Sequence, residues 1–451
     1  MDNYDVAIIG AGQAGIPLAY ALTARNKRVA LIERKHVGGS CVNFGCTPTK
    51  AAITSARLAH LARRASEFGL HIPAVEVDFG AVIRRARAIV DQQRSSIERG
   101  FDAIDNPKLI HGHARLAGRE GEHFRIAAGE VTITAAHVVI DTGTRSLIPP
   151  IDGIHDMKII HAGNWLDHFD LPQRVVMIGA GVIALEMAQF YRRMGSEVVA
   201  IEAMSQIAGS EDPDIAAALQ SILEREGIEF HLDTKVERVA RRGSAVVATV
   251  SGGQEIAGSH LFVATGRKPN TDDLGLDTIG VEVNKGIIKV NERLATNIAG
   301  VWAAGDVRGG PMFTHTAWDD HRILLSQLTG DGSRTTNRVV PYAIFTDPEV
   351  GHVGMSETEA KKAGRNFQVL RYEIRRNSKA QELGETDGFV KVLIDPGTKQ
   401  LLGATILSTE AAELVHIYIE AMHAGLPYTA IRDAVFIHPT LAEAVQSAVT
   451  V

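Results

Sequence analysis

The chain has 451 residues, 45% hydrophobic and 22% charged, an ordinary soluble composition that is too long for one core and implies two to four domains. Its charge, 47 − 53 = −6, excludes the basic footprint that a nucleic-acid or anionic-membrane partner needs. Two cysteines exclude a disulfide scaffold, and with neither an export leader nor an apolar run of about 18 residues a cytoplasmic protein is expected.

The first predicted unit is VAIIGAGQAGIPLAYALTARNKRVALIE, residues 6–33, an apolar strand, a glycine turn, a helix and a second strand. Gly10 permits the tight turn, Gly12 lets backbone approach a pyrophosphate, and Gly15 allows close packing of helix on strand. Helix-start N–H groups then face the phosphates, and Glu33 can accept a ribose 2′-hydroxyl.

Five residues further on, GGSCVNFGCTPTK (38–50) holds both cysteines, Cys41 and Cys46. Thr47-Pro48 reads as an N-cap and first helical position, with the helix running to about Phe68. Cys46 then lies at the positive end of that helix, with Lys50 one turn later, so its thiol should be unusually acidic. Five residues of regular helix rise about 7.5 Å, more than a disulfide spans, so the segment must be looped, and Gly45 eases that. The alternatives are a structural disulfide closing a very short loop, and two unrelated buried thiols.

IRRARAIVDQQRSSIER, residues 83–99, is an amphipathic helix with one buried stripe. His111 and His113 share a strand face, but two ligands without a third do not make a metal site, and no metal is expected.

The second unit, VVMIGAGVIALEMAQFYRRMGSEVVAIE (175–202), repeats the first. From first glycine to glutamate the step is identical, 33 − 10 = 202 − 179 = 23 residues, with Gly179, Gly181 and Glu202 in the places of Gly10, Gly12 and Glu33 and with Ala184 in that of Gly15. Plain βαβ units explain the turns but not the paired acids. Two dinucleotide sites in one chain fit one for FAD and one for a nicotinamide nucleotide. Residues 203–223 contain no Arg or Lys to meet a 2′-phosphate beside Glu202, so NADH is expected over NADPH, with Arg225 the one nearby cation that could reverse the choice.

LFVATGRKPNT (261–271), TNIAGVWAAGDV (296–307), FTHTAWDDHR (313–322), VPYAIFTDPEVGHVGMSETEA (340–360) and FIHPTLAEAVQ (436–446) complete the pattern. Taken together with GGSCVNFGCTPTK, these segments resemble the class I flavin-dependent pyridine nucleotide-disulfide oxidoreductases, the family of lipoamide dehydrogenase, glutathione reductase and mercuric reductase. The likeness spans essentially the whole chain.

The resemblance implies an α/β fold with two Rossmann-like domains, the NAD domain inserted in the FAD domain, and a C-terminal α+β dimerisation domain. The boundaries are 1–148 and 267–336 for FAD, 149–266 for NAD(P), and 337–451 for the interface. It implies Cys46 as the flavin-proximal thiol, Cys41 as the interchange thiol, and Lys50 paired with Glu186, in the first turn of the second nucleotide-binding helix, near the flavin. It assigns His438, oriented by Glu443, as the acid/base that serves the cysteines of the other subunit of a homodimer. Gly39, Ser40, Thr142, Gly143, Gly266, Arg267 and Asp306, the last on the ribitol, are implied to bind cofactor. His315 is placed for contact with the flavin region.

The acceptor is a small molecule: a disulfide, a reactive oxidant or a metal ion. No cysteine follows Cys46, which counts against mercuric reduction, and Glu202 counts against a glutathione reductase. FTHTAWDDHR, SEDPDIAAALQSILEREGI and the PTK step favour the mercuric-reductase-like group that includes hypothiocyanous acid reductases, with dihydrolipoamide dehydrogenase as the alternative. A non-catalytic flavin redox sensor is the reading from another class, and Cys41, Cys46, Lys50, Glu186, His438 and Glu443 together argue against it.

Overall fold

A computed structural model describes residues 2–450. The first sheet has seven strands, with Asp2–Ile9 central and parallel to Val29–Glu33 on one side and Val131–Ile140 on the other. Lys108–His111 extends it beyond Val29–Glu33, while His123–Ala128 and Ala114–Glu120 close the far edge antiparallel. Val301–Ala303, from TNIAGVWAAGDV, joins Val131–Ile140 in parallel, so chain from beyond the second repeat completes the first sheet.

The second sheet is wholly parallel, in the order Ile228–His231, Glu197–Ile201, Arg174–Ile178, His260–Val263, Ile159–His161. Its central strand is buried at four of five positions, as expected of a strand covered on both faces. A two-stranded ribbon, Thr144–Ser146 against Arg267–Pro269, carries the chain out to this domain and back. The C-terminal part is a five-stranded antiparallel sheet running from Tyr342–Ile344 to Leu401–Ser408.

The two repeats fold alike down to single atoms. Gly10 and Gly179 have φ of +108° and +102°, and a Cβ would stand 2.2 Å from Asp141 O in one and 2.6 Å from Ala264 O in the other. Only glycine fits where each turn passes the end of the neighbouring strand.

Seven helices bear on the site: α1 (Gly15–Thr23), α2 (Gly39–Asn43), α3 (Cys46–Arg63), α4 (Phe79–Asp102), α5 (Val182–Met194), α6 (Pro213–Arg225) and α7 (Thr314–Thr329). α3 departs from its predicted bounds. It begins at Cys46 with Gly45 as N-cap, and Thr47 turns its hydroxyl to Gln93 Oε1 (3.2 Å) rather than capping the helix. Pro48 then sits third in the helix, still inside the first turn where no intrahelical N–H is missed. The helix ends at Arg63 and a single 3₁₀ turn, Ala65–Phe68, continues the direction that sequence periodicity extended to Phe68. α4 outruns its predicted 83–99 because Asp78 caps it, accepting from Ala81 N–H at 2.8 Å.

One core cluster lies beneath the cysteines and draws on all three parts of the chain. Ala52, Ala56 and Ala59 of α3 meet Phe79 and Ile83 of α4, Met187 and Phe190 of α5, and Ile344 and Leu407 of the C-terminal sheet. Small residues at that spacing let α3 and α5 approach closely, which fixes the side chains they carry.

Candidate active site

Cys41 is the third residue of α2 and Cys46 the first of α3, with only Phe44 and Gly45 between the helices. Phe44 N–H (3.0 Å) and Gly45 N–H (2.7 Å) both donate to Ser40 O, which turns the chain sharply and makes the segment a loop. Both cysteines are free thiols, Cys41 half-buried and Cys46 exposed. Their acidities are driven apart. The hydrogen bond from Cys41 pulls Cys46 down to about 6; burial opposes this, while a hydrogen bond from Thr314 and the charge of Lys50 assist it. Cys41 is raised, first by that same bond and then by burial. The negative charge of a reduced pair therefore belongs to Cys46.

Three side chains that sequence reasoning did not single out build this loop. Asn43 Nδ2 donates to Val37 O and Gly39 O, both at 2.9 Å, tying α2 to the chain that leaves Glu33. The indole N–H of Trp165 donates to Phe44 O at 2.9 Å, although Trp165 belongs to the stretch leading into the second sheet. Thr314 Oγ1 lies 3.2 Å from Cys46 Sγ. His315 has a different place: its Nε2 meets Pro341 O at 2.7 Å and its ring stacks on Phe313.

Lys50 Nζ donates to Glu186 Oε2 at 2.7 Å, from α3 to α5. Glu186 lies in the second turn of α5 rather than the first, and it is buried. There it cannot serve the helix end; its other oxygen instead accepts Phe345 N–H at 3.0 Å, linking both helices to the C-terminal part. The Lys50 ammonium also stands 4.4 Å from the centre of the Phe345 ring.

The two nucleotide cradles share one wiring. Glu33 accepts Ala11 N–H (3.0 Å) and Lys35 N–H (2.8 Å), and Glu202 accepts Ala180 N–H (2.7 Å) and Met204 N–H (2.9 Å). Each carboxylate keeps lone pairs for ribose hydroxyls. In the first cradle Gly39 passes so close that a Cβ on it would stand 3.0 Å from Gly12 Cα, and Gly15 N–H donates to the buried Asp141 (2.8 Å), whose pKa burial raises. Asp306 Oδ2 accepts from Thr144 Oγ1 at 2.8 Å. In the second cradle Gly181 has an ordinary φ of −77°, and a Cβ there would touch nothing within 4 Å. Neither strain nor packing demands that glycine, whereas a dinucleotide approaching the start of α5 does. The first cradle thus fits FAD and the second a nicotinamide dinucleotide.

Two expected cofactor ligands bind the chain itself. Arg267 Nε donates to Thr144 Oγ1 (2.5 Å) and stands 3.7 Å from Asp306, and Thr142 Oγ1 donates to Asn270 O (2.8 Å), while Gly143 O accepts Asn270 N–H. Both residues brace the ribbon and set Asp306, with Gly266 supplying its left-handed bend at φ +129°.

His438 lies on the C-terminal part, 68% exposed, with Nδ1 3.0 and 3.2 Å from the two oxygens of Glu443. Thr440 N–H and then His438 hold the Glu443 carboxyl below its usual range. Val435 and Ile437, beside it, are among the most exposed apolar side chains. His113 Nε2 lies 3.1 Å from Asp273 O. Among the described residues no helix is long and apolar enough to cross a membrane.

Comparison with known proteins agrees with this layout. Residues 4–320 match the pyridine nucleotide-disulphide oxidoreductase model and residues 340–449 the dimerisation domain of the same family. The chain is 33% identical over 449 residues to the probable pyridine nucleotide-disulfide oxidoreductase RclA of Escherichia coli K12, covering 98% of each. It is 34% identical to the dihydrolipoyl dehydrogenase of Rhizobium etli (99% and 98% covered) and 33% to the mercuric reductase of Streptomyces lividans (99% and 95%). The structure of a Cu(II) complex of the HOCl-induced flavoprotein disulfide reductase RclA from Escherichia coli superposes with a TM-score of 0.91 at 32% identity, covering 100% and 99% of the two chains.

Proposed function

This chain belongs to the class I pyridine nucleotide-disulphide oxidoreductases, enzymes that use FAD and NAD(P)H, and on that premise we propose that it carries electrons from NADH through the Cys41–Cys46 pair to a reactive oxidant of the hypothiocyanous acid type. Bound FAD supplies the two-electron relay between nicotinamide and sulfur. The chain's own residues do the rest. Glu33, Asp306 and the Gly10–Gly15 turn hold the flavin nucleotide, and Glu202 with the Gly179–Gly181 turn holds the nicotinamide nucleotide.

The observation that carries the reading is the placement of two free thiols on either side of the two-residue Phe44–Gly45 turn, with Lys50 one turn along the helix that Cys46 begins and Thr314 Oγ1 3.2 Å from its sulfur. Cys46 holds the charge; Cys41 keeps its proton until a base removes it and then attacks the acceptor. With hypothiocyanous acid, the thiolate–thiol pair gives up two electrons and the Cys41 proton, the Cys41–Cys46 disulfide forms, and water and thiocyanate leave. His438 of a second copy is the base, since the C-terminal part matches a dimerisation domain and the ring is bound by Glu443 while lying open to a neighbour.

Glu202 supports NADH. Its carboxylate would repel a 2′-phosphate, and the nearby cation that the sequence offers, Arg225, is bound to Asp387 of the C-terminal part at 2.6 Å. The oxidant is supported by the absence of any cysteine after Cys46 and by the likeness to a flavoprotein described as HOCl-induced. Dihydrolipoamide oxidation is the second reading, since identity to a dihydrolipoyl dehydrogenase is just as high.

Steady-state turnover with NADH and NADPH against hypothiocyanous acid, lipoamide, glutathione disulfide, Cu(II) and Hg(II) tests this. NADH with hypothiocyanous acid should give the highest kcat/KM. A strong NADPH preference would overturn the reading of Glu202, higher efficiency with lipoamide would install the second reading, and a Cys46→Ser variant with full turnover would end the thiol relay.

A further inference from the structure

We propose that Asp141 binds the diphosphate of FAD as an uncharged carboxylic acid, a donor that the first cradle has and the second lacks. The inference rests on the reading of the first cradle as the flavin site.

The two repeats isolate this side chain. Asp141 N–H donates to Ile9 O in the first and Ala264 N–H to Ile178 O in the second, and the carbonyls of the same two residues close over Gly10 and Gly179. The strand end is therefore the same in both, with a carboxyl on one and a methyl on the other, so the fold does not require the acid. The start of the following helix matches the difference. A Cβ on Gly15 would stand 3.1 Å from Asp141 Oδ2, and the second repeat, with no carboxyl to accommodate, has Ala184 in that place.

Three segments of the cradle converge on the carboxyl. Gly15 N–H donates to Oδ2 at 2.8 Å, while a Cβ would stand 2.8 Å from Oδ2 if placed on Gly12 and 2.8 Å from Oδ1 if placed on Gly305. Gly12 is where the backbone lets a pyrophosphate approach, and Gly305 precedes the ribitol ligand Asp306, so the acid lies between the contacts on either side of the diphosphate.

Its charge state follows from the contrast with Asp320, a second buried acid of the same cradle. Asp320 accepts Gly305 N–H (2.9 Å) and is met by Arg308 (2.8 and 3.1 Å) and Arg338 (2.6 Å), so two guanidinium groups compensate its charge. Asp141 is 6% exposed, and among the described residues no cation pairs with it. The charged groups that face it are Asp306, on the turn Gly305–Arg308, and Asp320 on α7, both acids, while the turn and helix from Gly10 to Thr23 carry no charged side chain. Burial without a counter-ion, beside two carboxylates, keeps the proton on Asp141. A further negative charge there would repel a diphosphate, whereas a carboxylic O–H donates to it.

The test reads the carboxyl and its hold on the cofactor separately. In the infrared difference spectrum between the wild type and Asp141→Asn, both FAD-loaded at neutral pH, a protonated-carboxyl C=O stretch should appear, and it should shift when FAD is removed because the O–H loses its acceptor. Flavin release, followed as free-flavin fluorescence after dilution, should be about ten- to a hundredfold faster from Asp141→Ala and within about threefold of the wild-type rate from Asp141→Asn, whose amide donates in the acid's place. Absence of the stretch, a stretch indifferent to FAD, or release from Asp141→Ala at the wild-type rate overturns the proposal. Release from Asp141→Asn slowed more than about tenfold also overturns it, since that is the mark of a negative charge removed from beside the diphosphate. If Asp141→Ala does not fold, the stretch and Asp141→Asn decide. A wild type that takes up no flavin would instead remove the reading of the first cradle beneath it.

Discussion

Glu443 holds His438 by Nδ1, and that choice of atom decides what the imidazole can do. With Nδ1–H donated to a carboxylate, the ring is kept in the tautomer whose Nε2 carries a free lone pair, the form of a general base. The carboxyl is itself held below its usual range by Thr440 N–H and by the histidine, so it stays ionised and keeps orienting the ring throughout the neutral range. His438→Gln should therefore lower acceptor-dependent turnover by about 10²- to 10⁴-fold. The first phase of flavin bleaching by NADH, followed anaerobically, should be unchanged, because hydride transfer to the flavin precedes any proton uptake at Cys41. Glu443→Gln should lose roughly tenfold and shift the acceptor-side pH profile, since a glutamine can still orient the ring but no longer stabilises its protonated form. Equal losses in both half-reactions for His438→Gln would place the histidine outside the acceptor step.

The redox loop is held from elements far apart in sequence, and this sets how much of it could be read beforehand. The glycine turns, Glu33 and Glu202 were legible because a βαβ unit fixes the number of residues between its first turn and the end of its second strand; the chain repeats that ruler twice. Cys46 as an acidic thiol was legible because the helix and Lys50 that favour it are local. Thr314 and Trp165 were not, lying 268 and 121 residues from the groups they touch, where no periodicity reaches. The start of α3 was misplaced by two residues because Ser40 O ties down Gly45 N–H and the helix opens at Cys46, a backbone arrangement that leaves Thr47 nothing to cap. The Trp165 bond has a direct consequence. Trp165→Phe keeps an aromatic ring against Phe190 but leaves Phe44 O without its donor, which costs about 1 kcal/mol and loosens the α2–α3 junction between the sulfurs. Acceptor turnover should fall several-fold while KM for NADH stays put; an unchanged dithiol–disulfide midpoint potential together with unchanged turnover would reduce Trp165 to a packing residue.

At the scale of the whole molecule, α3 and α5 are locked to the C-terminal part by two rungs of buried charge. The first is Lys50, Glu186 and Phe345 N–H; the second is Arg57 and Arg193 on either side of Asp347, with bonds of 2.7 and 2.6 Å. Gln189 fastens the backbone at the same point, donating to Asp347 O (2.7 Å) and accepting Asp347 N–H (2.8 Å). Because Cys46 and Lys50 ride on α3 and Glu186 on α5, the second rung, about two turns further along both helices, holds the first in register. Arg193 is the keystone: its side chain is 5% exposed and its guanidinium reaches both Asp347 and, through two nitrogens, Glu226. Arg193→Met leaves the buried Asp347 with Arg57 alone and Glu226 with only the Gln189 amide, so it destabilises by part of the about 3–5 kcal/mol that a fully broken buried pair costs. Arg193→Lys should recover only part of that loss, since a single ammonium cannot reproduce the fork that spans both acids. Urea unfolding of the FAD-loaded protein, with release of flavin fluorescence as the probe, should show the midpoint falling in the order wild type, Arg193→Lys, Arg193→Met. Arg242→Met, which breaks only the solvent-exposed pair with Glu255, should leave the midpoint where it was. If Arg193→Met shifts the midpoint no more than Arg242→Met does, the second rung contributes nothing to stability and the apolar contacts of Ala52, Ala56 and Phe190 alone hold α3 against α5.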